Sequence, residues 1–183
     1  MKVVTSMNAP THRHFDLIRS HVSASSPRAN ANLGPLPEWN LKDLYPAIDS
    51  KELADDFEWV TTEAKKFAER YKGKLAALAA DSNASKTLHE AIVAYEAIDD
   101  RLGRIMSYAA LVYTGDTTDP VFSKFYGDTQ DRATTISTEL LFFMLELNRI
   151  DDAILDAAAA KPPLAHYKPW LIDIRLEKPY QLD

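Results

Sequence analysis

Two residues near the middle of the chain come closest to a catalytic signature. His89-Glu90 begins like the metal-binding pattern His-Glu-x-x-His. In that pattern two histidines one helical turn apart clamp zinc and the glutamate activates water. The residue four places after His89 is Val93, so the second ligand is missing, and His89 is expected as a solvated histidine on a helix surface. His12 and His14 stand two residues apart with only Asp16 near them; such a pair suits adventitious nickel or zinc rather than a native site. His166, alone beside Tyr167, is expected as a surface or capping residue. The acid pairs Asp55/Asp56, Asp99/Asp100 and Asp151/Asp152 would point about 100° apart on a helix and cannot converge. They are expected as helix-start acids or a solvated face. With no cysteine, thiolate ligands, thiol nucleophiles and disulfides are excluded. No G-x-G-x-x-G, phosphate loop or G-x-S-x-G elbow occurs. The aromatic series Tyr95, Tyr108, Tyr113, Phe122, Phe125, Tyr126, Phe142 and Phe143 could line a groove, but core packing is the commoner use of such a stripe. The residues therefore offer no catalytic, cofactor-binding or metal site in this chain.

The elements that would position these residues are helical. From Ser85 to Leu147 the pattern predicts two long helices folded back on each other. The first leg carries Leu88, Ile92, Tyr95, Ile98, Leu102, Ile105, Ala109 and Val112, and the second carries Phe122, Phe125, Thr129, Ala133, Ile136, Leu140, Phe143 and Leu147. Steps of three and four residues place each set on one side of a helix. Each leg runs about 28 residues, roughly 40 Å, which leads one to expect that it packs against more protein than this chain supplies. Between them, Gly115 is expected to end the first leg in the left-handed conformation, with Asp119 capping the second and Pro120 in its first turn. Upstream, Asp49 with Glu52 fits a capping box for a helix whose apolar face is Leu53, Phe57, Val60, Ala64, Phe67 and Tyr71, with Gly73 as its stop. A short helical piece spans Lys74 to Ala80. Asp151 or Asp152 opens another through Ala160, and a last helix is expected over Leu164 to Leu176, with Pro169 in its first turn or at a kink.

Apolar residues make up 46% and charged residues 26% of the 183, with only five glycines. That composition is ordinary for a globular protein and rich in helix formers, so the fold class expected is all-α. The net charge of −6 and the lack of a basic stripe argue against nucleic acid as a partner. No apolar run approaches the roughly 20 residues a membrane helix needs; the longest is Leu140 to Leu145. With no signal-peptide pattern behind Met1, a cytoplasmic location is the expectation. Residues 1–32 differ from the rest. They hold four Lys/Arg against one acid, a net of +3, leaving −9 on residues 33–183. This segment has no sustained helical pattern and is expected to be a disordered tail, with residues 33–183 forming one helical domain. The prolines of Leu36-Pro37-Glu38-Trp39-Asn40-Leu41-Lys42-Asp43-Leu44-Tyr45-Pro46 hold that stretch extended, and its aromatics should pin it onto the helices. At the other end, Lys178-Pro179-Tyr180-Gln181-Leu182-Asp183 reads as the turn before a further helix, so the chain is expected to stop within a larger architecture.

Trp39, Leu41, Leu44 and Tyr45 match the tryptophan-x-leucine-x-x-leucine-tyrosine lead-in of oligoendopeptidase F, which this segment resembles. Gly73-Lys74-Leu75 is similar to that family's glycine-lysine-leucine step, and the stretch from Tyr108-Ala109 to Asp119-Pro120 to its long helix ending in an aspartate-bearing turn. Tyr167-Lys168-Pro169-Trp170-Leu171 and the closing Lys178-Pro179-Tyr180-Gln181-Leu182 resemble its transition into later helices. The likeness runs over residues 36–183. It implies a longer, mainly helical enzyme, grouped with the thimet-type zinc oligopeptidases, that cleaves short peptides in an enclosed channel. Zinc would be held there by His-Glu-x-x-His and a later glutamate in a catalytic domain near the C-terminal end. None of those residues falls in this chain, so no catalytic or metal role carries over to any position here.

The resemblance implies an N-terminal domain forming part of the channel wall, inactive alone. Its expected partners are its own catalytic domain and an oligopeptide substrate, with self-association of the isolated piece a further possibility. The alternative from a different class is a freestanding helical protein–protein interaction module.

Overall fold

The computed structural model describes residues 39–181. The expectations for residues 1–32, His12 and His14, Leu36 to Glu38 and Leu182-Asp183 lie outside them.

Among the described residues the regular structure is entirely helical. Six α-helices follow in order: α1 (Lys51–Tyr71), α2 (Leu75–Ala80), α3 (Ala84–Gly115), α4 (Pro120–Arg149), α5 (Asp152–Ala159) and α6 (Lys168–Arg175). Single 3₁₀ turns lie at Leu164–Tyr167 and Lys178–Tyr180. The fold is all-α, as composition and periodicity predict.

Local chemistry sets the helix ends. α1 begins after Ser50, whose hydroxyl accepts the Leu53 N–H at 3.4 Å. Of the two starts the sequence allows, Asp49 or Ser50, the structure takes Ser50, and the Asp49/Glu52 box does not form the cap. The stop at Gly73 is real: its φ is +76°, a left-handed conformation that costs an L-residue about 1–2 kcal/mol. Gly115 differs from expectation. It remains the last helical residue of α3 with no positive φ, and the extended Asp116 ends the helix instead. Asp119 caps α4 by accepting the Val121 N–H at 2.7 Å, with Pro120 in the first turn. Asp151 caps α5 through the N–H groups of Ala153 (2.9 Å) and Ile154 (3.2 Å). The single helix expected over Leu164 to Leu176 is two pieces, a 3₁₀ turn and α6. Pro169, in the first turn of α6, lacks the N–H an uninterrupted helix would use.

α3 has 32 residues and α4 has 30, roughly 48 and 45 Å at the standard rise. Their most extensive packing is against each other. Tyr113 stacks on Tyr126 (ring centroids 5.0 Å, interplanar 5°) near the connecting turn, and Tyr95 stacks on Phe143 (4.9 Å) farther away. One partner recedes in sequence as the other advances, so the two helices run in opposite directions.

α1 lies across both long helices. Leu53, Phe57, Val60, Ala64, Phe67 and Tyr71 are its buried residues. Phe67 sits at the centre of this junction, with its ring 6.1 Å from Tyr95, 5.7 Å from Phe142 and 5.1 Å from Phe143. Burying side chains of this size contributes about 1.5–3 kcal/mol each. α2 docks Leu75 and Ala79 against α3 and α4. α5 and the 3₁₀ turn at Leu164 pack beside α3, while α6 contacts α4. One continuous apolar cluster runs from Tyr45 through all six helices to Ile174.

Candidate functional site

The near-catalytic residues of the sequence do not assemble into a reactive group. His89 lies half-buried on α3 with its ring 5.6 Å from that of Tyr167, so it is a packed rather than freely solvated side chain. Val93, one turn along, is 41% exposed and brings no ligand. His166 is exposed and edge-on to Tyr167 at 5.2 Å. Tyr167 joins the two regions by donating to Glu96 at 2.6 Å, a bond that raises the phenol's pKa above its ordinary value. Among the described residues no group of three or more His, Asp or Glu is placed to hold a metal ion.

The acid pairs divide in a way adjacency could not reveal. Asp55 is exposed and pairs with Lys51. Asp56 is half-buried and accepts the Tyr45 hydroxyl at 2.7 Å. It also faces Arg101 (3.4 Å) and Arg104 (3.5 Å) of α3. Arg104 further donates to the Leu44 carbonyl at 3.2 Å and lies 4.6 Å from the centre of the Tyr45 ring. Arg101 lies 4.0 Å from the centre of the Trp59 ring. Burial and the bond to Asp56 push the Tyr45 hydroxyl far above the ordinary phenol range. This group fastens the lead-in to α1 and α3, and that lead-in is turned rather than extended, with the Leu44 (2.9 Å) and Tyr45 (3.2 Å) N–H groups donating to the Leu41 carbonyl. Tyr45 is 1% exposed whereas Trp39 is 81% exposed, so the tyrosine alone among the expected aromatics does the pinning.

Two further clamps also join residues distant in sequence. Glu146 of α4 accepts the N–H groups of Gly73 (2.7 Å) and Leu75 (3.5 Å), supplying the start of α2 with acceptors it lacks locally. Arg175 of α6 donates to the carbonyls of Asn148 (3.0 Å) and Ile150 (2.8 Å) at the end of α4, and pairs with Asp152 at 2.8 Å. Lys178 holds the same Asp152 oxygen at 2.8 Å, and its hydrogen bond keeps this carboxyl below the usual range. Periodicity gives no signal for such partners, although Arg101 and Arg104, three residues apart, share one helix face.

One concave feature separates from these clamps. On the side of the α3–α4 pair turned away from α1, a groove of about 540 Å³ is lined by Leu102, Gly103 and Met106 of α3 and Ala133, Thr134 and Leu141 of α4, among others. Leu141 is 62% exposed there. The aromatic series follows the core reading rather than the groove alternative: Tyr108, Phe142 and Phe143 are buried in the core, and none of the series lines this surface.

The described chain is thus a helical scaffold held by buried aromatics and sequence-distant polar clamps, with an open groove. The family model described as oligopeptidase F, the N-terminal part of the M3 peptidases, matches residues 146–183. This is the stretch that begins at Glu146 and contains the Asp152–Arg175–Lys178 clamp, and the match supports an N-terminal domain of an oligoendopeptidase F family peptidase. No curated protein and no solved structure matches the chain significantly. No helix among the described residues is long and apolar enough to cross a membrane.

Proposed function

We propose that this chain is the N-terminal, channel-wall domain of a zinc-dependent oligopeptide-hydrolysing endopeptidase of the cytoplasm. The match over residues 146–183 carries the reading. The lead-in resemblance at Trp39 to Tyr45 and the Gly73-Lys74-Leu75 step agree with it. Zinc and the groups that activate water belong, on this reading, to a catalytic domain outside these 183 residues, which is the domain's principal partner. The long helices α3 and α4 would act as a rigid wall. Their role is to limit access to oligopeptides by size, with chemistry performed elsewhere.

The test uses the purified 183-residue chain. Elemental analysis after zinc exposure and dialysis should find no stoichiometric zinc, and fluorogenic oligopeptides should remain uncleaved. Chelator-sensitive turnover by this chain would overturn the reading. So would a continuing reading frame that lacks His-Glu-x-x-His.

A further inference from the structure

α2 has little of its own to hold it in place. It has six residues, well under the roughly 12–15 an isolated helix needs to persist in water. Leu75 and Ala79 are its buried residues, and Leu78 is partly covered. Its N-cap, Lys74, supplies no side-chain hydrogen bond, whereas the short α5 is capped by its own Asp151. The start of α2 is held from another helix. The Glu146 carboxylate of α4 accepts the Gly73 N–H at 2.7 Å and the Leu75 N–H at 3.5 Å. The far end borders a pocket of about 320 Å³ lined by Ala79 and Ala80, by Ala84 of α3 and by Ala157 and Ala158 of α5, among others. Small side chains around a space of this kind leave the helix few atoms to pack against.

The segments on either side are completed without α2. Lys74 turns its ammonium back onto α1, donating to the carbonyls of Glu69 (2.9 Å) and Arg70 (3.2 Å). Gly73 beside it takes the left-handed φ of +76°. Beyond α2, Asp81 closes a turn with its own groups. Its carboxylate accepts the Asn83 N–H at 2.7 Å and its carbonyl the Ala84 N–H at 3.0 Å. From this we propose that α2 is a strap that opens by itself while the other described helices stay folded. It is hinged at these two turns and latched by Glu146. Local opening of this kind lies below the free energy of global unfolding, so it coexists with one cooperative denaturation curve. Opening bares the seat on α3 and α4 of Leu75, a side chain 0% exposed in the closed form. The strap thereby sets whether that end of the shared core is sealed.

Native-state hydrogen exchange of the 183-residue chain, read residue by residue by NMR, tests this. The amides of Leu78, Ala79 and Ala80 should share one protection factor, at least about tenfold below that of Ile105 to Ala109 in α3, and should respond little to urea. Protection equal to that of α3, or falling in steps along α2 as at a fraying end, would overturn the strap. Two variants separate the opening from the latch. Glu146→Gln keeps the side chain's shape but turns amide hydrogens toward one of the two N–H groups, and should lower α2 protection about tenfold. Unchanged protection in α2 would overturn Glu146 as the latch. Tyr45→Phe removes a bond that stays made while α2 opens. It should lower protection in α3 about fivefold and leave α2 as it was. An equal fall in α2 would show that this helix opens only when the others unfold, which overturns the proposal.

Discussion

Tyr45 shows how one side chain can do two separable jobs. Its ring is buried against Tyr108 at 5.2 Å, and its hydroxyl meets Asp56 at 2.7 Å. Tyr45→Phe removes only the hydrogen bond and leaves Asp56 its two arginines, so it should cost about 1 kcal/mol. Tyr45→Ala also empties the ring's site and should cost about 3–5 kcal/mol. Urea unfolding of both variants checks this, and equal losses would mean that the ring contributes nothing beyond its hydroxyl. The burial of Tyr45 was partly legible, because an apolar lead-in beside two prolines has to pack somewhere. The role of Asp56 was not. As one of two adjacent acids soon after a helix start it looked like a helix-start charge or a solvated face, and its arginines lie on another helix. Trp39 was misjudged for the complementary reason: apolar character shows that a residue gains from burial but not that the fold provides it a site.

At the scale of elements, the ends of helices decide what is local and what is not. Asp119 and Asp151 bond to N–H groups two or three residues on, and both caps were visible as an acid ahead of an apolar run. The end of α4 is served from α6. The Arg175 side chain is only 16% exposed and holds the carbonyls of Asn148 in α4 and of Ile150 just past it, as well as Asp152. Arg175→Met retains much of the stem's packing but leaves these acceptors without their charged donor, and should cost about 2 kcal/mol. Thermal melts should show the loss. Asp152 adds a pH signature. Its folded pKa is depressed, so its contribution is present above the unfolded carboxyl pKa of about 3.9 and fades as pH falls through the lower folded value. The melting-temperature gap between wild type and Asp152→Asn should therefore be open at neutral pH and close in strong acid. A gap that stays constant down to about pH 2 would show that the carboxylate is not responsible.

Residues 39–181 are organised by a single apolar cluster that reaches each of the six described α-helices, from Tyr45 to Ile174. A fold with one shared core should unfold as a unit. Far-ultraviolet circular dichroism, which reports helix, and tryptophan fluorescence of a Trp39→Phe variant, which then reports Trp59 on α1 and Trp170 on α6, should give coincident denaturation curves; separated midpoints would show that α6 and its neighbours form an independent unit. The all-α class, the six helical regions and most of the buried faces were determined by the sequence by itself. Helix periodicity, caps and proline restrictions act over a few residues and can be read from neighbours along the chain. Tertiary structure alone decided that Asp56 and Asp152, rather than Asp55 and Asp151, became clamps, that Glu146 and Arg175 serve the ends of helices other than their own, and which face of the α3–α4 pair carries the groove. Those outcomes depend on partners tens of residues apart and on what covers a surface, and a local pattern carries no record of either.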